Sequence, residues 1–209
     1  AAGAASGEVA VGAGAAVYVL GTTTEAEIGA YAQIGQTTSP SSLAVSATDM
    51  TTLNTLAGAA GGGGSVGAGA GAAVAVISKT LTASIGAHAM VSAGDISVDA
   101  QGGVTGTTFS IGVGVGGDAG LAGAVTAYSV DDTTTASIGA DAVVFADDNV
   151  AGLANDATDL HFVSGGVAGS GNVAAGASVG VAVITSQTYA EIEAGASVTA
   201  LGKGTAVNY

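Results

Sequence analysis

The 209-residue chain has no cysteine, no arginine and no tryptophan, and it contains a single proline. Without cysteine, neither a disulfide nor a thiolate metal site can form. Nucleic acids and anionic membranes are bound through clustered lysine and arginine, and this chain offers only Lys79 and Lys203 against 16 acidic residues. We therefore expect no nucleic-acid partner. One proline is also too few for collagen or for a proline-rich linker.

Large side chains are scarce as well. Aromatic residues make up 4% of the chain, whereas glycine alone accounts for 37 residues. Each glycine fixed in a strand costs about 0.5–1 kcal/mol relative to alanine. So many glycines indicate that backbones approach closely at many places. The mean hydropathy of +0.60 argues against disorder, and the net charge of −14 favours solubility and could attract cations.

The most apolar run, residues 66–77, is rich in glycine. A membrane-spanning helix needs about 20 strongly apolar residues, so we predict no membrane span. The sequence starts at Ala1 and shows no signal peptide. We interpret it as a processed product or as a segment of a longer protein.

One ten-residue pattern recurs along the chain. Its clearest copies read TASIGAHAMV at residues 82–91 and TASIGADAVV at residues 135–144, and the copies at 25–34 and 189–198 read EAEIGAYAQI and YAEIEAGASV. Consecutive copies are separated by 57, 53 and 54 residues, which gives a repeat of about 54 residues. The isoleucines on which the copies align are Ile28, Ile85, Ile138 and Ile192.

Alternate positions of each copy behave differently. One set is Ala, Ile, Ala, Ala and then Val or Ile in every copy, whereas the other set varies and includes His88 and Asp141. Strict period-two alternation over nine residues predicts a strand with one buried face and one exposed face. The predicted buried positions are Ala26, Ile28, Ala30, Ala32, Ile34, Ala83, Ile85, Ala87, Ala89, Val91, Ala136, Ile138, Ala140, Ala142, Val144, Ala190, Ile192, Ala194, Ala196 and Val198.

The same alignment extends to both sides of this pattern. Upstream, apolar segments at 17–20, 74–77, 127–130 and 181–184 correspond, and nineteen residues before the anchors stand Val9, Val66, Ala119 and Val173. Downstream, LAVSA at 43–47 matches ISVDA at 96–100, and looser matches lie around Val150 and Val207. Residues 47–60 are predicted to form at most one helical turn.

These patterns predict an all-β fold. We expect a β-solenoid, similar to a parallel β-helix, built from four repeats of about 54 residues whose isoleucines and valines stack on one another. The chain is then a single elongated repeat domain with repeats at approximately 1–60, 61–115, 116–168 and 169–209. Two layouts stay open: two or three coils per repeat, or an added antiparallel hairpin in which residues 108–117 return as residues 121–130.

The segment GAGAAVAVI followed by TASIGAHAMVSAGDISVDA, within residues 69–100, resembles the degenerate repeats of giant bacterial adhesins of the filamentous-haemagglutinin and leukotoxin kind. The likeness extends over most of the chain through all four copies. It implies a β-solenoid stalk exported to the cell surface. The secretion domain of that family is not found in these 209 residues.

No catalytic or cofactor-binding residue is predicted. Polysaccharide lyases built on β-helices generally use a basic residue and an aromatic or acidic groove, and here the groove would have to be lined by Tyr18, Tyr128 or Tyr189. His88 is predicted to be a solvated residue on an outer strand face, and His161 a residue of strand packing or of an exposed turn. Glycine runs such as residues 69–73 lack the lysine and hydroxyl residue of a phosphate loop.

Two further ligand hypotheses rest on polar clusters. The acidic doublets Asp131–Asp132 and Asp147–Asp148 are predicted to lie in turns, where oxygen ligands suit Ca²⁺. Surface solubilisation is the preferred explanation, so no metal ligand is assigned and Ca²⁺ stays the alternative. Threonines 22–24, aligned with threonines 133–135, could form a ladder of the kind that binds ice.

The sequence therefore predicts a non-enzymatic, extracellular or cell-surface protein that serves as a stalk or fibre segment of a bacterial adhesin. The alternatives are a self-assembling extracellular filament subunit and a carbohydrate-acting β-helix enzyme. Expected partners are neighbouring repeats, identical chains stacked end to end, and a host or cell-surface receptor or glycan.

Overall fold

The computed structural model describes residues 1–204. Within that range every secondary-structure element is a β-strand. The strands recur in groups of three, each made of two long strands followed by a short one. The strands are β1 (Ala2–Ser6), β2 (Val9–Ile28), β3 (Gln33–Ile34), β4 (Ser42–Gly63), β5 (Val66–Ile85), β6 (Met90–Ala93), β7 (Asp95–Gly116), β8 (Ala119–Ile138), β9 (Val143–Ala146), β10 (Val150–Gly169), β11 (Val173–Ile192) and β12 (Ser197–Ala200).

The strands form three parallel four-stranded sheets. Sheet I has the order β1-β4-β7-β10, sheet II the order β2-β5-β8-β11, and sheet III the order β3-β6-β9-β12. The predicted all-β parallel solenoid is therefore confirmed. Each turn of the chain places one strand in each sheet, so one copy of the pattern makes a single wide coil and not two or three.

The register predicted from the anchors is also confirmed. Ile28, Ile85, Ile138 and Ile192 are successive partners in sheet II, and Val9, Val66, Ala119 and Val173 begin its four strands. In sheet I, residues 43–47 pair with residues 96–100, and Val150 pairs with Ile96. Val207, the remaining downstream match, lies outside the described residues.

The nine-residue strand predicted around each anchor is interrupted. Strand β5 ends at Ile85 and β6 begins at Met90, and His88 lies in the turn between them with a φ of 57°. Tyr31, Asp141 and Gly195, the equivalent residues of the other coils, also have positive φ. The variable position after TASIGA is thus a left-handed turn position, where the fourth copy places glycine. Of the predicted buried set, the residues of the second and third copies are buried, except Ala87 and Ala140, which are partly exposed. The prediction is wrong for Ala30 of the first copy and for Ala190, Ile192 and Ala194 of the fourth, which are exposed because the strands of these outer coils have a neighbour on one side only.

The antiparallel hairpin, one of the two layouts that the sequence left open, is wrong. Residues 108–117 lie in β7 and residues 121–130 in β8, but these strands belong to sheets I and II and contact each other face to face. A Cβ on Gly69 would collide with the backbone carbonyl of Val113, and one on Gly114 with that of Leu121. The two sheets therefore touch through their backbones. We call this region the two-layer arm; it comprises residues 9–19, 56–76, 109–129 and 163–183.

No helical turn forms between residues 47 and 60, because this segment continues β4. Its inward positions are filled by Leu53, Ala57 and Ala59, which are buried. Alternation of small apolar and polar residues suits an extended strand on a half-buried sheet.

Side chains fill the coil only at its other end. There sheet III closes the space between sheets I and II, and we call this region the three-sided end. Its core contains Leu81, Ile85, Val91, Ile96 and Val98. A smaller cluster, formed by Leu53, Ala75, Ile77, Val104, Tyr128 and Val130, lies where the arm begins and includes Ala75 and Tyr128 of the arm.

Long strands and few coils set the proportions. Strands of 20–22 residues extend about 70 Å at 3.3 Å per residue. Each coil adds only about 4.8 Å to the height of the stack. The long dimension of the described chain therefore runs along the strands and not along the solenoid axis.

Candidate functional site

A buried ionic layer separates the two side-chain clusters. Lys79 lies on β5 between Ile77 of the smaller cluster and Leu81 of the three-sided core. Asp49 on β4 and Asp132 on β8 approach its ammonium group from neighbouring strands. The layer thus joins both long sheets at the point where the core gives way to the arm.

The Lys79 ammonium group is held by three acceptors. Its Nζ donates hydrogen bonds to the carbonyl oxygens of Asp49 and Gly103, both at 2.9 Å, and lies 3.3 Å from Asp49 Oδ1. The lysine side chain has no exposed surface. Burial of an unpaired ammonium costs several kcal/mol, so these contacts are needed to offset its desolvation.

Asp49 is the better placed of the two carboxylates. Thr24 donates to its Oδ2 and Thr51 to its Oδ1, both at 3.3 Å. Burial by itself raises the pKa of Asp49, but the Thr22 hydroxyl and the Lys79 ammonium outweigh it and hold this pKa below its usual value. Asp49 is therefore the charged partner of Lys79.

Asp132 is in a different position. It is 1% exposed, lies 4.0 Å from Lys79 Nζ through its Oδ2, and neither of its oxygens accepts a hydrogen bond from the described residues. Burial, followed by the charge of Asp156, raises the pKa of Asp132 to about 6, while Lys79 opposes the rise. A proton on Asp132 relieves the repulsion between its carboxyl group and that of Asp156.

The layer follows from the register of the sheets. In sheet II, Lys79 pairs with Thr22 on one side and Asp132 on the other. In sheet I, Gly102 lies between Asp49 and Asp156. A Cβ on Gly102 would come within 2.8 Å of Thr134 Oγ1 and 2.9 Å of Asp156 Oδ1, so the glycine makes room for the polar groups of the coils on either side.

Sequence reasoning missed this layer because it treated Lys79 as an isolated charge and Asp132 as part of a turn. The signal was present. Lys79 and Asp132 each stand six residues before an anchor, Ile85 and Ile138. An even spacing along a strand places both side chains on the buried face.

The geometry of the two acidic doublets does not support a calcium site. Asp131 and Asp132 lie within strand β8, not in a turn, and only Asp131 is on the outer face. Asp147 and Asp148 do lie in the turn after β9, where Lys203 Nζ is 3.1 Å from Asp147 Oδ1. Within residues 1–204, no three histidine or acidic side chains are grouped so that they could hold a metal ion.

Neither histidine contacts the Lys79 ammonium group. His88, in its turn, stacks on Tyr31 with ring centroids 4.8 Å apart, and its Nδ1 is 3.9 Å from Asp141 Oδ2. These side chains belong to the same turn position of three successive coils. His161 is exposed on β10, with its Nε2 3.2 Å from Asp159 Oδ1.

The three tyrosines proposed for a carbohydrate groove do not share a surface. Tyr18 and Tyr128 point inward and pack in the smaller cluster, and the Tyr128 hydroxyl is 2.6 Å from Thr108 Oγ1. Tyr189 is exposed on β11, where its hydroxyl donates to Gln187. The core therefore uses two of the three.

The threonine clusters align differently from the prediction. The register pairs Thr23 with Thr80 and Thr80 with Thr133, whereas Thr22 aligns with Lys79. The predicted match between threonines 22–24 and 133–135 is therefore wrong by one residue. The glycine run at 69–73 lies inside strand β5 and forms no loop.

The outer faces of the arm are apolar on both sides. Leu121 and Val125 on sheet II are 46% and 48% exposed, and Phe109 on sheet I is 41% exposed, although all three belong to inner coils with neighbours above and below. Beyond the arm, the outer positions of the same strands carry polar residues such as Asp131 and Thr133. The outer faces of sheets I and II are therefore apolar along the arm and mainly polar beyond it.

These features define a wide parallel β-solenoid with a buried ionic layer. Comparison of the chain with protein-family models, with curated proteins and with solved structures finds no match. Residues 1–204 contain no helix that is long and apolar enough to cross a membrane.

Proposed function

We propose that the chain is a non-enzymatic structural and adhesive segment of a bacterial surface protein, located outside the cell. The observation that supports this best is the column of matched residues that runs through every coil, from Ile28 through Ile85 and Ile138 to Ile192. Columns of this kind keep the coil constant while outward residues vary, as a surface that contacts different partners requires.

The proportions favour a broad contact surface over a long spacer. A coil uses about 54 residues and raises the stack by about 4.8 Å, but its strands present faces about 70 Å long. A chain selected only to span distance would gain more length from narrow coils. The polar outer faces of sheets I and II beyond the arm, which carry Glu25, Asp99 and Asp131, then face a receptor or glycan.

Attachment of coated beads tests the proposal. Beads carrying the folded chain should bind host cells or immobilised glycans, and the same chain in solution should compete with that binding. Beads carrying the chain after irreversible unfolding serve as the control. Polysaccharide cleavage by the folded chain, or equal attachment by both bead types, would count against an adhesive role.

A further inference from the structure

The arm face of sheet II is a broad and uniformly apolar surface. It consists of the outward-pointing residues at alternate positions of 9–19, 66–76, 119–129 and 173–183. All of these residues are alanine, valine, leucine or glycine, except Ser129. Monomeric soluble proteins rarely expose an apolar patch of this extent without a partner.

We propose that this face packs against the same face of a second copy of the chain, so that solenoids associate side by side. The inference concerns self-association and does not depend on the proposed adhesive role. The size of the face fits such a contact. Eleven residues of strand by four strands cover about 700 Å², close to the roughly 800 Å² that each partner contributes to a stable interface.

The relief of the face suits another sheet. Small residues form a shallow valley across the four strands, through Ala13, Ala70, Gly123 and Ala177, and larger side chains such as Leu121 and Val125 border it. Stacked sheets interdigitate in this way at a separation of about 10 Å. A second copy brings the matching relief.

The charge distribution favours a second copy of the chain as the partner of this face and determines how the two copies are oriented. No charged residue lies within the face, whereas the same strands carry Glu27, Asp131 and Glu191 on their outer positions beyond it. Two copies that overlap only through their arms, with strands in opposite directions, keep these acids apart. An anionic lipid surface is disfavoured by the net charge of −14 and by Glu8 and Asp118 at the tip of the arm.

Sedimentation velocity of the full chain over a wide concentration range tests this inference. The chain should associate reversibly, and higher salt should strengthen the association because it screens the repulsion between acids. A buried carboxylate in the face, Val125→Glu, should weaken the association at least about tenfold. Thr133→Glu places the same charge on the same strand outside the face and should leave association unchanged.

Circular dichroism confirms that each variant is folded, and Leu121→Ser provides a second, milder change if Val125→Glu is not. A chain that stays monomeric at all concentrations overturns the inference. So does association that Val125→Glu leaves intact, since strand edges at the ends of the stack then mediate it. Flotation with neutral phosphatidylcholine vesicles in place of self-association would assign the face to lipid and would equally overturn the inference.

Discussion

In the three-sided end, isoleucine, valine and alanine side chains fill the space between the sheets, and the outer faces of sheets I and II are mainly polar. In the two-layer arm the interior holds little more than backbone, and the larger apolar side chains lie outside. The same strands run through both regions. The difference teaches that a parallel sheet can be stabilised either by packed side chains or by close backbone contact, and that the inward residues alone select between them.

The ionic layer marks the boundary between the two regions, and its loss should have the largest effect. Lys79→Met removes the ammonium and leaves the buried Asp132 and the partly buried Asp49 without a cation. We expect a loss of about 3–5 kcal/mol in the free energy of unfolding, measured by urea denaturation. Lys203→Met removes an exposed lysine and should change it by less than about 0.5 kcal/mol. Equal losses would contradict a structural role for the layer.

Truncation of large side chains should affect the two regions unequally. Ile85 is completely buried in the three-sided end, so Ile85→Ala should cost about 2–5 kcal/mol. Val125→Ala, in the arm, removes a half-exposed outer side chain and should cost less than about 1 kcal/mol in the monomer. The measurement is urea denaturation at low protein concentration. A large loss for Val125→Ala would show that the arm also depends on its large side chains.

Enlargement of small residues should give the opposite pattern. Gly69→Ala places a methyl group against the backbone of Val113 and should cost about 1–3 kcal/mol. Gly123→Ala is the matched control on the outer side of the arm, where the nearest atom is Ala177 O at 4.0 Å. Because alanine restricts the unfolded chain more than glycine, this control should be neutral or slightly stabilising in urea. Similar losses for both would refute backbone contact in the arm.

The smallest expected change in the free energy of unfolding comes from protonation of Asp132 in the ionic layer. The Asp132 carboxyl binds its proton more tightly in the folded chain, with a pKa of about 6 against 3.8 when unperturbed. Its contribution to stability is therefore greatest below about pH 4, falls as the pH rises to about 6, and is constant above that. Asp132→Asn should remove this dependence and stabilise the chain by about 1–2 kcal/mol at pH 7.

Urea denaturation of both proteins between pH 4 and 7 measures this difference. The lowered pKa of Asp49 acts below that window, where its protonation weakens the contact with Lys79. The two carboxyls can thus be separated by pH. An unchanged pH dependence in Asp132→Asn would mean that Asp132 stays ionised in the folded chain.

Much of the fold could be predicted from the sequence because the anchors repeat with matched residues. The partners Ile28, Ile85, Ile138 and Ile192 followed directly from alignment. The turn at His88 was missed because alanines on both sides of it continue the period-two pattern through a left-handed residue. Alternation reports which face is buried and is insensitive to a short turn that preserves that face.

The layout of the coil and the ionic layer could not be predicted in the same way. Period two does not distinguish a strand that pairs with its predecessor from one that stacks on it, so a hairpin of residues 108–117 and 121–130 stayed open as one of two layouts. The buried charges depend on which strands face each other. Lys79 lies opposite Asp49 only because sheet I packs onto sheet II, a relation that repeats alone do not contain.

The unequal copy lengths have a single structural origin. The step of 57 residues between the first two anchors exceeds the next by four, and these residues fall in the connection between sheets III and I, at 35–41, where the later coils have only Gly94 or residues 147–149. That corner therefore accepts additional sequence without disturbing any column. An epitope tag or a foreign binding loop grafted after Gly94 should be displayed at the rim of the stack, and coils could acquire new specificities there while the rest of the protein stays unchanged.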